Sequence, residues 1–444
     1  VIFYPVSCST AERLRDGVRT FAAGKYFFNP KEDDMTLETS QKVWKPYSIQ
    51  ECDVPAYSLP DPLLKADGTR VATASEWVNH QRAVILQLLK DGEYGEILPR
   101  PDSMRFELLS QKDNALDNTA VRKEIRIHCG MENGAAFAFD MLLYLPKHVT
   151  GPVPAFLGLN FKGNHNTTDE DDVRPTGFSK PGVLRVEARS EQVERWCFRE
   201  AVRRGFASAT ICYHDIHPDF TESEQYSAFR LFFQEADYGS IQDRYSVIGC
   251  WAWGLSRGLD CLENEPRINP ARVAVHGHSR LGKTSLWAGA IEPRFRMIIS
   301  NNSGCGGATL HKRKFGENLS QHFEAHEKHG TPAWFVRKCR DYVWKEETMP
   351  FDQHELLAMA APRPLAIGTA TEDHMADPKG EFLSCLEASK VYRLFGSQGL
   401  PVTTMPPPDQ KVSGDISFHY RTGKHDQTPF DWEHYFALGD MYLK

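Results

Sequence analysis

Apolar positions along this chain come in two textures, and the change between them predicts the fold. Three early runs, R-F-E-L-L-S, V-R-K-E-I-R-I-H and A-F-D-M-L-L-Y-L-P, mix apolar and polar residues, the first two in partial alternation. A period of two turns one face of a strand to the core and the other to water, as at the antiparallel edge of a sheet. Further on the apolar runs become short and unbroken: V-P-A-F-L-G-L-N-F (153–161), A-S-A-T-I-C-Y (207–213), R-V-A-V-H-G (272–277), R-M-I-I-S (296–300) and R-P-L-A-I-G-T-A (363–370). Helical stretches follow the first three, around Val193 to Arg204, Tyr245 to Leu262 and from Arg280 onward. Strands buried on both faces and alternating with helices predict an α/β fold, a mostly parallel doubly wound sheet between two helical layers. An earlier helix is predicted with Trp77, Val84, Leu88 and Leu89 on one side. In such sheets ligands gather at the carboxyl ends of the strands, so the residues just after each run carry the interest.

Residues 1 to 50 show no clear period and read as an N-terminal extension packed on a single catalytic domain spanning 51–444. A chain of 444 residues with 41% hydrophobic and 25% charged residues buries a core without disulfide staples. Its net charge of −7 and lack of any basic run argue against a nucleic-acid surface. No stretch approaches eighteen apolar residues, so no membrane span is predicted. Ten cysteines without a C-x-x-C pair argue against a zinc ribbon or a redox dithiol. Cys305 and Cys339 are candidates to pair, with connectivity left open. Val1 in place of a methionine suggests a removed leader or a trimmed chain. A secreted or periplasmic location and a monomeric state are separate expectations.

The chemistry centres on V-H-G-H-S-R-L-G-K-T, residues 275–284. A strand running into a helix through G-x-S-x-G is the nucleophile elbow of α/β-hydrolases. Here Gly277, Ser279 and Gly282 give G-x-S-x-x-G, with the second glycine one residue late. From these residues alone Ser279 is either a nucleophile or a serine N-cap. Hydrolases of this fold order their triad serine, acid, histidine. After the strand holding Leu365 and Ile367, T-A-T-E-D-H-M-A-D-P offers Glu372, Asp373 and Asp377 as the acid. A final helix is predicted from Thr428 and Pro429, with threonine as cap and proline in its first turn. Y-R-T-G-K-H-D-Q in front of it puts His425 in the loop, while His419 lies within strand-like I-S-F-H-Y-R and suits a structural role. Y-H-D-I-H-P-D (213–219) gathers His214, Asp215, His217 and Asp219; it reads as a pocket-rim loop, since three ligands of defined metal geometry are not evident. Trp334 and Phe335 in P-A-W-F line the substrate cleft or pack in the core.

G-H-S-R-L-G-K resembles the serine motif of glucuronoyl esterases, G-x-S-R-x-G-K. L-G-L-N-F-K-G-N-H-N, W-A-W-G-L-S-R-G-L-D, S-G-C-G-G-A, P-F-D-Q-H-E-L-L-A, A-P-R-P-L and D-W-E-H-Y-F resemble the bacterial branch of that family, in order from Tyr57 to the C-terminus. The resemblance implies that Arg280 faces the developing oxyanion with its guanidinium and its own backbone N–H. It implies further that Lys283 and Glu317 contact glucuronate hydroxyls. Two departures stand out. Fungal members take their acid from a glutamate where this chain has Asn302, which cannot carry charge; some bacterial relatives use an acid after the later strand, where Asp373 stands, with Glu372 and Asp377 as competitors. The family's tryptophan two residues after that acid is Met375 here, which with Leu281 shapes the alcohol side. The implied activity is hydrolysis of the ester between glucuronic acid of glucuronoxylan and a lignin-type alcohol through a Ser279–His425–Asp373 triad, with no cofactor and no metal. An acetyl xylan esterase or peptidase of the same fold, or a non-catalytic carbohydrate-binding relative, are the alternatives; only Asn302 encourages the last.

Overall fold

The computed structural model describes residues 2–3, 46–178, 188–325, 328, 330 and 332–444. At its centre lies a ten-stranded sheet: β1 Ser103–Asn114, β2 Ala120–Gly130, β3 Ala136–Pro146, β4 Val153–Asn160, β5 Ala207–Cys212, β6 Ile268–His278, β7 Met297–Asn301, β8 Leu365–Ala370, β9 Lys411–Val412 and β10 Ile416–Arg421. Across the sheet the order is β9-β10-β8-β7-β6-β4-β5-β3-β2-β1. The six strands from β10 to β5 run parallel. The β1–β3 meander joins antiparallel through β3 and β5, and β9 closes the other edge antiparallel to β10. This is the α/β-hydrolase arrangement, with the antiparallel edge where the alternating runs predict it.

Unbroken apolar runs arise because the central strands are covered on both faces. Adjacent residues in a strand point to opposite sides, and here each pair splits between two cores. Phe156, Ala274, Met297 and Ala366 pack with Ala201, Trp432, Tyr435 and Phe436, from helices α2 (Phe198–Arg203) and α6 (Pro429–Tyr442). Their neighbours Leu157, Val275, Ile298 and Ile367 face the larger core with Trp251, Leu286 and Phe382. Those three come from α3 (Val247–Glu263), α4 (Arg280–Ile291) and α5 (Pro378–Leu394).

Caps mark the helix starts as the chain spells them. The Ser246 hydroxyl accepts from the Gly249 amide at the head of α3 (2.9 Å). Thr428 and Asp431 form a capping box around Pro429 at the head of α6. Three expectations need correction. The stretch from Val193 to Arg204 is broken in two, because Cys197 takes a left-handed conformation (φ 47°) between Val193–Trp196 and α2. In helix α1 (Arg82–Leu89) the inward residues are Ile85 and Leu89, and Val84 faces solvent; the helical period was legible, its rotation about the axis was not. Cys305 and Cys339 are both buried free thiols, as are most of the described cysteines. Of the expected N-terminal extension, Ile2–Phe3 pairs antiparallel with Ser58–Leu59, and Tyr47 donates its amide to the Gly316 carbonyl (2.8 Å); residues 4–45 lie outside the described residues. Among the described residues no helix is long and apolar enough to cross a membrane.

Phe156 is the hub of the smaller core, with ring centroids of Phe206, Trp432 and Phe436 at 5.2, 5.7 and 5.6 Å. Phe156→Ala is expected to cost about 3–5 kcal/mol of stability, measured by equilibrium denaturation; a loss below about 1 kcal/mol contradicts this packing.

Candidate active site

β6 ends at His278 and α4 begins at Arg280, so a single residue makes the turn between them. Ser279 makes it at φ 57°, ψ −130°, a region that residues with a side chain rarely adopt. Its amide donates to the Asn301 carbonyl of β7 (2.9 Å), and its carbonyl accepts from the amides of Gly282 (2.8 Å) and Lys283 (3.1 Å). The serine stands at the N-cap position, yet its hydroxyl caps no helix amide. The two glycines answer the odd spacing. A Cβ on Gly277 would overlap the Leu281 carbonyl. A Cβ on Gly282 would stand 3.0 Å from the Ser300 hydroxyl and 3.1 Å from the Ser303 Cβ. The late glycine therefore sits where the first turn of α4 passes the end of β7.

The loops after β8 and β10 bring the predicted acid and base together. His425 Nδ1 lies 2.6 Å from Asp373 Oδ2, and the carboxylate is buried. The same oxygen accepts from the Asn302 side-chain amide (2.7 Å). The His425 ring packs on His278, the residue before Ser279, with centroids 4.6 Å apart. Asn301 donates its amide to the Tyr435 hydroxyl (2.9 Å), so its oxygen faces His278 Nδ1 (2.8 Å), which must be the protonated nitrogen. Burial, reinforced by His425, pushes His278 well below the ordinary histidine range, so it meets His425 as a neutral wall.

The competitors fall away by position. Glu372 is exposed, and its backbone amide bonds the Gly423 carbonyl (2.8 Å). Asp377 is buried, pairs with Arg313 (2.9 Å) and caps α5 through the Gly380 amide (3.0 Å). His419 is buried against Asp431 (2.6 Å) and His434 (3.0 Å), on the sheet face away from α4.

Beside the elbow, two cations share one indole. Arg280 Cζ stands 4.5 Å from the Trp334 ring centroid and Lys283 Nζ 5.9 Å from it. Arg280 pairs with Asp219, while Lys283 donates to the Ser303 carbonyl (2.6 Å) and to Glu317 Oε2 (3.3 Å). Glu317 also accepts from the Cys305 amide (3.1 Å), and its own amide bonds the carbonyl of half-buried Met375 (2.9 Å). Trp334 thus belongs with the site, whereas Phe335 packs against Tyr94 in the core (5.8 Å). The 213–219 loop also resolves: His217 Nδ1 bonds the Pro218 carbonyl (2.8 Å), Asp215 accepts from the Gly177 amide (3.0 Å), and Asp219 holds Arg280.

The family model of fungal glucuronyl esterases matches residues 200–396. A carbohydrate esterase, MZ0003, from an unknown prokaryotic organism is 39% identical over 411 residues, covering 89% of this chain and 92% of that protein. The structure of a glucuronoyl esterase from Solibacter usitatus matches with a TM-score of 0.81 and 34% identity, over 89% of this chain and 100% of that one. A 4-O-methyl-glucuronoyl methylesterase of Schizophyllum commune is 30% identical over 361 residues, 79% of this chain and 78% of that protein. This chain belongs to the glucuronoyl esterase family. It is a carbohydrate esterase of the α/β-hydrolase fold.

Within that family, the elements hardest to read from the chain are carboxylates and amides that act across segments. Asn302 donates its side-chain amide to Asp373, seventy-one residues away. Asp219 is the partner of Arg280, sixty-one residues away. Glu381 of α5 lies fully buried under the site, where Oε1 accepts from the amides of Ser303 and Gly304 (both 3.0 Å). It shapes the loop that follows Asn302. Burial pushes its carboxyl from the ordinary 4.5 up to about 8.

A raised carboxyl pKa means that the folded chain holds this proton more tightly than the unfolded chain. Stability from Glu381 is therefore full below pH 4.5 and falls as pH rises toward about 8. Glu381→Gln, which keeps the acceptor oxygen, is expected to match wild type at pH 4.5 and to gain in melting temperature relative to it between there and pH 8. A constant difference across that window contradicts the buried neutral carboxyl.

Proposed function

We propose that the protein hydrolyses the ester between (4-O-methyl)glucuronic acid of glucuronoxylan and a lignin-type alcohol. Ser279 attacks the ester carbonyl, and His425 Nε2 takes its proton and then returns it to the departing alcohol. Asp373 holds the imidazole by Nδ1 and stabilises the imidazolium; Asn302 steadies Asp373. Arg280, through its guanidinium and its backbone N–H, stabilises the oxyanion, a contribution of about 2.7–4 kcal/mol for one such donor. Water then attacks the acyl-enzyme with His425 as base. Lys283 and Glu317 hold the sugar hydroxyls, where charged groups make the stronger hydrogen bonds; Trp334 backs both cations, and Met375 lies on the rim. No step calls for a cofactor.

The reading rests on one contact above all, His425 Nδ1 to buried Asp373 at 2.6 Å, beside a serine held at positive φ. A wall polymer cannot enter a cell, so the same reading places the enzyme in the secreted or periplasmic space, with residues 51–444 working as one catalytic unit.

Benzyl glucuronate tests it. Ser279→Ala is expected to leave only background hydrolysis. Asp373→Asn should lower kcat by about 10³-fold or more, while Glu372→Gln stays near wild type because that side chain faces solvent. Equal rates for wild type and Ser279→Ala, or activity on acetyl esters with none on glucuronate esters, overturns the reading.

A further inference from the structure

The charge pattern around Trp334 carries an inference that no motif announces. Asp219 is buried, and its acceptor oxygens take the Arg280 guanidinium, the Trp334 indole N–H (3.0 Å) and the Tyr213 hydroxyl (3.3 Å) among their donors. One carboxylate therefore fixes both the guanidinium and the ring on which it stacks; Phe161, 6.0 Å from Arg280 Cζ, lies against the same guanidinium. The backbone behind Asp219 is itself pinned. Trp251 of α3 donates its indole N–H to the His217 carbonyl (2.9 Å), and the Ser223 hydroxyl donates to the Pro218 carbonyl (2.7 Å). On the other side of Trp334, Lys283 is matched by Glu317 (3.3 Å). Each of these two cations thus has its own carboxylate before any substrate arrives.

We propose that Asp219 is a positioning residue and the counter-charge of Arg280, aiming the guanidinium at the oxyanion while keeping the anionic uronate product from being trapped there. The proposal rests on the esterase reading above. Hydrolysis breaks the acyl–alcohol bond and adds water, so a neutral ester yields an alcohol, a uronate carboxylate and a proton released to solvent. The carboxylate appears where the ester carbonyl was, next to Arg280. An unpaired arginine binds carboxylates strongly and would hold the product. A pair of zero net charge can still aim an N–H at the transient oxyanion, yet gives a full product anion little extra hold. Orientation and charge balance thus come from the same side chain, that of Asp219.

The test is inhibition of benzyl glucuronate hydrolysis by free glucuronate. Asp219→Asn removes the charge and keeps the shape. It is expected to tighten glucuronate inhibition about tenfold, the effect of one charge-assisted hydrogen bond. It should also lower kcat about 10- to 100-fold with a smaller change in KM, because a misplaced oxyanion donor loses the transition state first. Inhibition by uncharged methyl glucoside should stay as in wild type, a contrast that loosened packing alone would not produce. Adding Arg280→Ala should return glucuronate inhibition to within about threefold of wild type. Should Asp219→Asn fail to fold, Asp219→Ser, which also removes the charge and keeps a polar side chain, is read against the same tenfold tightening and the same overturning results. Unchanged glucuronate inhibition in Asp219→Asn, equal tightening for methyl glucoside, or tightening that survives Arg280→Ala overturns the proposal. Failure of the esterase reading shows separately, as hydrolysis that persists in Ser279→Ala.

Discussion

The carboxyl edge of this sheet depends on one close approach: the backbone of Gly277 against the carbonyl of Leu281. A chain that leaves a strand and enters a helix through a single residue must fold back on itself within a few ångströms. Only a residue without a Cβ can stand at that crossing, and the residue between is driven to positive φ. The strain is held in place because both neighbours are over-determined. β6 is locked between β4 and β7, and the first turn of α4 is wedged against Ser300 and Ser303 by the second glycine. Once the turn is made, the Ser279 side chain, the Arg280 amide and the Arg280 guanidinium all leave from the same place.

Around that turn the buried carboxylates are met by donors, which offsets the cost of taking them out of water. Asp373 takes the His425 ring and the Asn302 amide, Asp219 takes Arg280, Trp334 and Tyr213, and Glu381 takes the amides of a loop end. Burial also acts on two histidines nearby in the chain, pushing His276, packed against Trp196 and Trp432, to about 3 and His217 to about 4.

Much of this was legible in the chain because it is local or positional. Unbroken apolar runs mark strands covered on both faces, and the serine, acid and histidine follow in the order that the strand ends impose. The cap of α6 could be read from Thr428-Pro429 alone. What stayed hidden lies in contacts between distant segments. Nothing in Y-H-D-I-H-P-D says that its last carboxylate faces an arginine beyond two further elements, and Asn302 in the sequence does not announce the amide it donates to Asp373. Val84 faces solvent for a related reason: a helical period fixes which residues share a stripe, while the rotation of that stripe depends on what packs against it. Cys197 breaks its helix through a left-handed residue that composition does not flag.

The central claim is that the hydroxyl on this strained turn is a nucleophile driven by His425. A fluorophosphonate label, followed by peptide mass mapping, reads that directly. The account predicts a single stoichiometric adduct on the Ser279 peptide of the wild type and its loss in His425→Ala. Labelling at another serine, or labelling of Ser279 that is indifferent to His425, would contradict it.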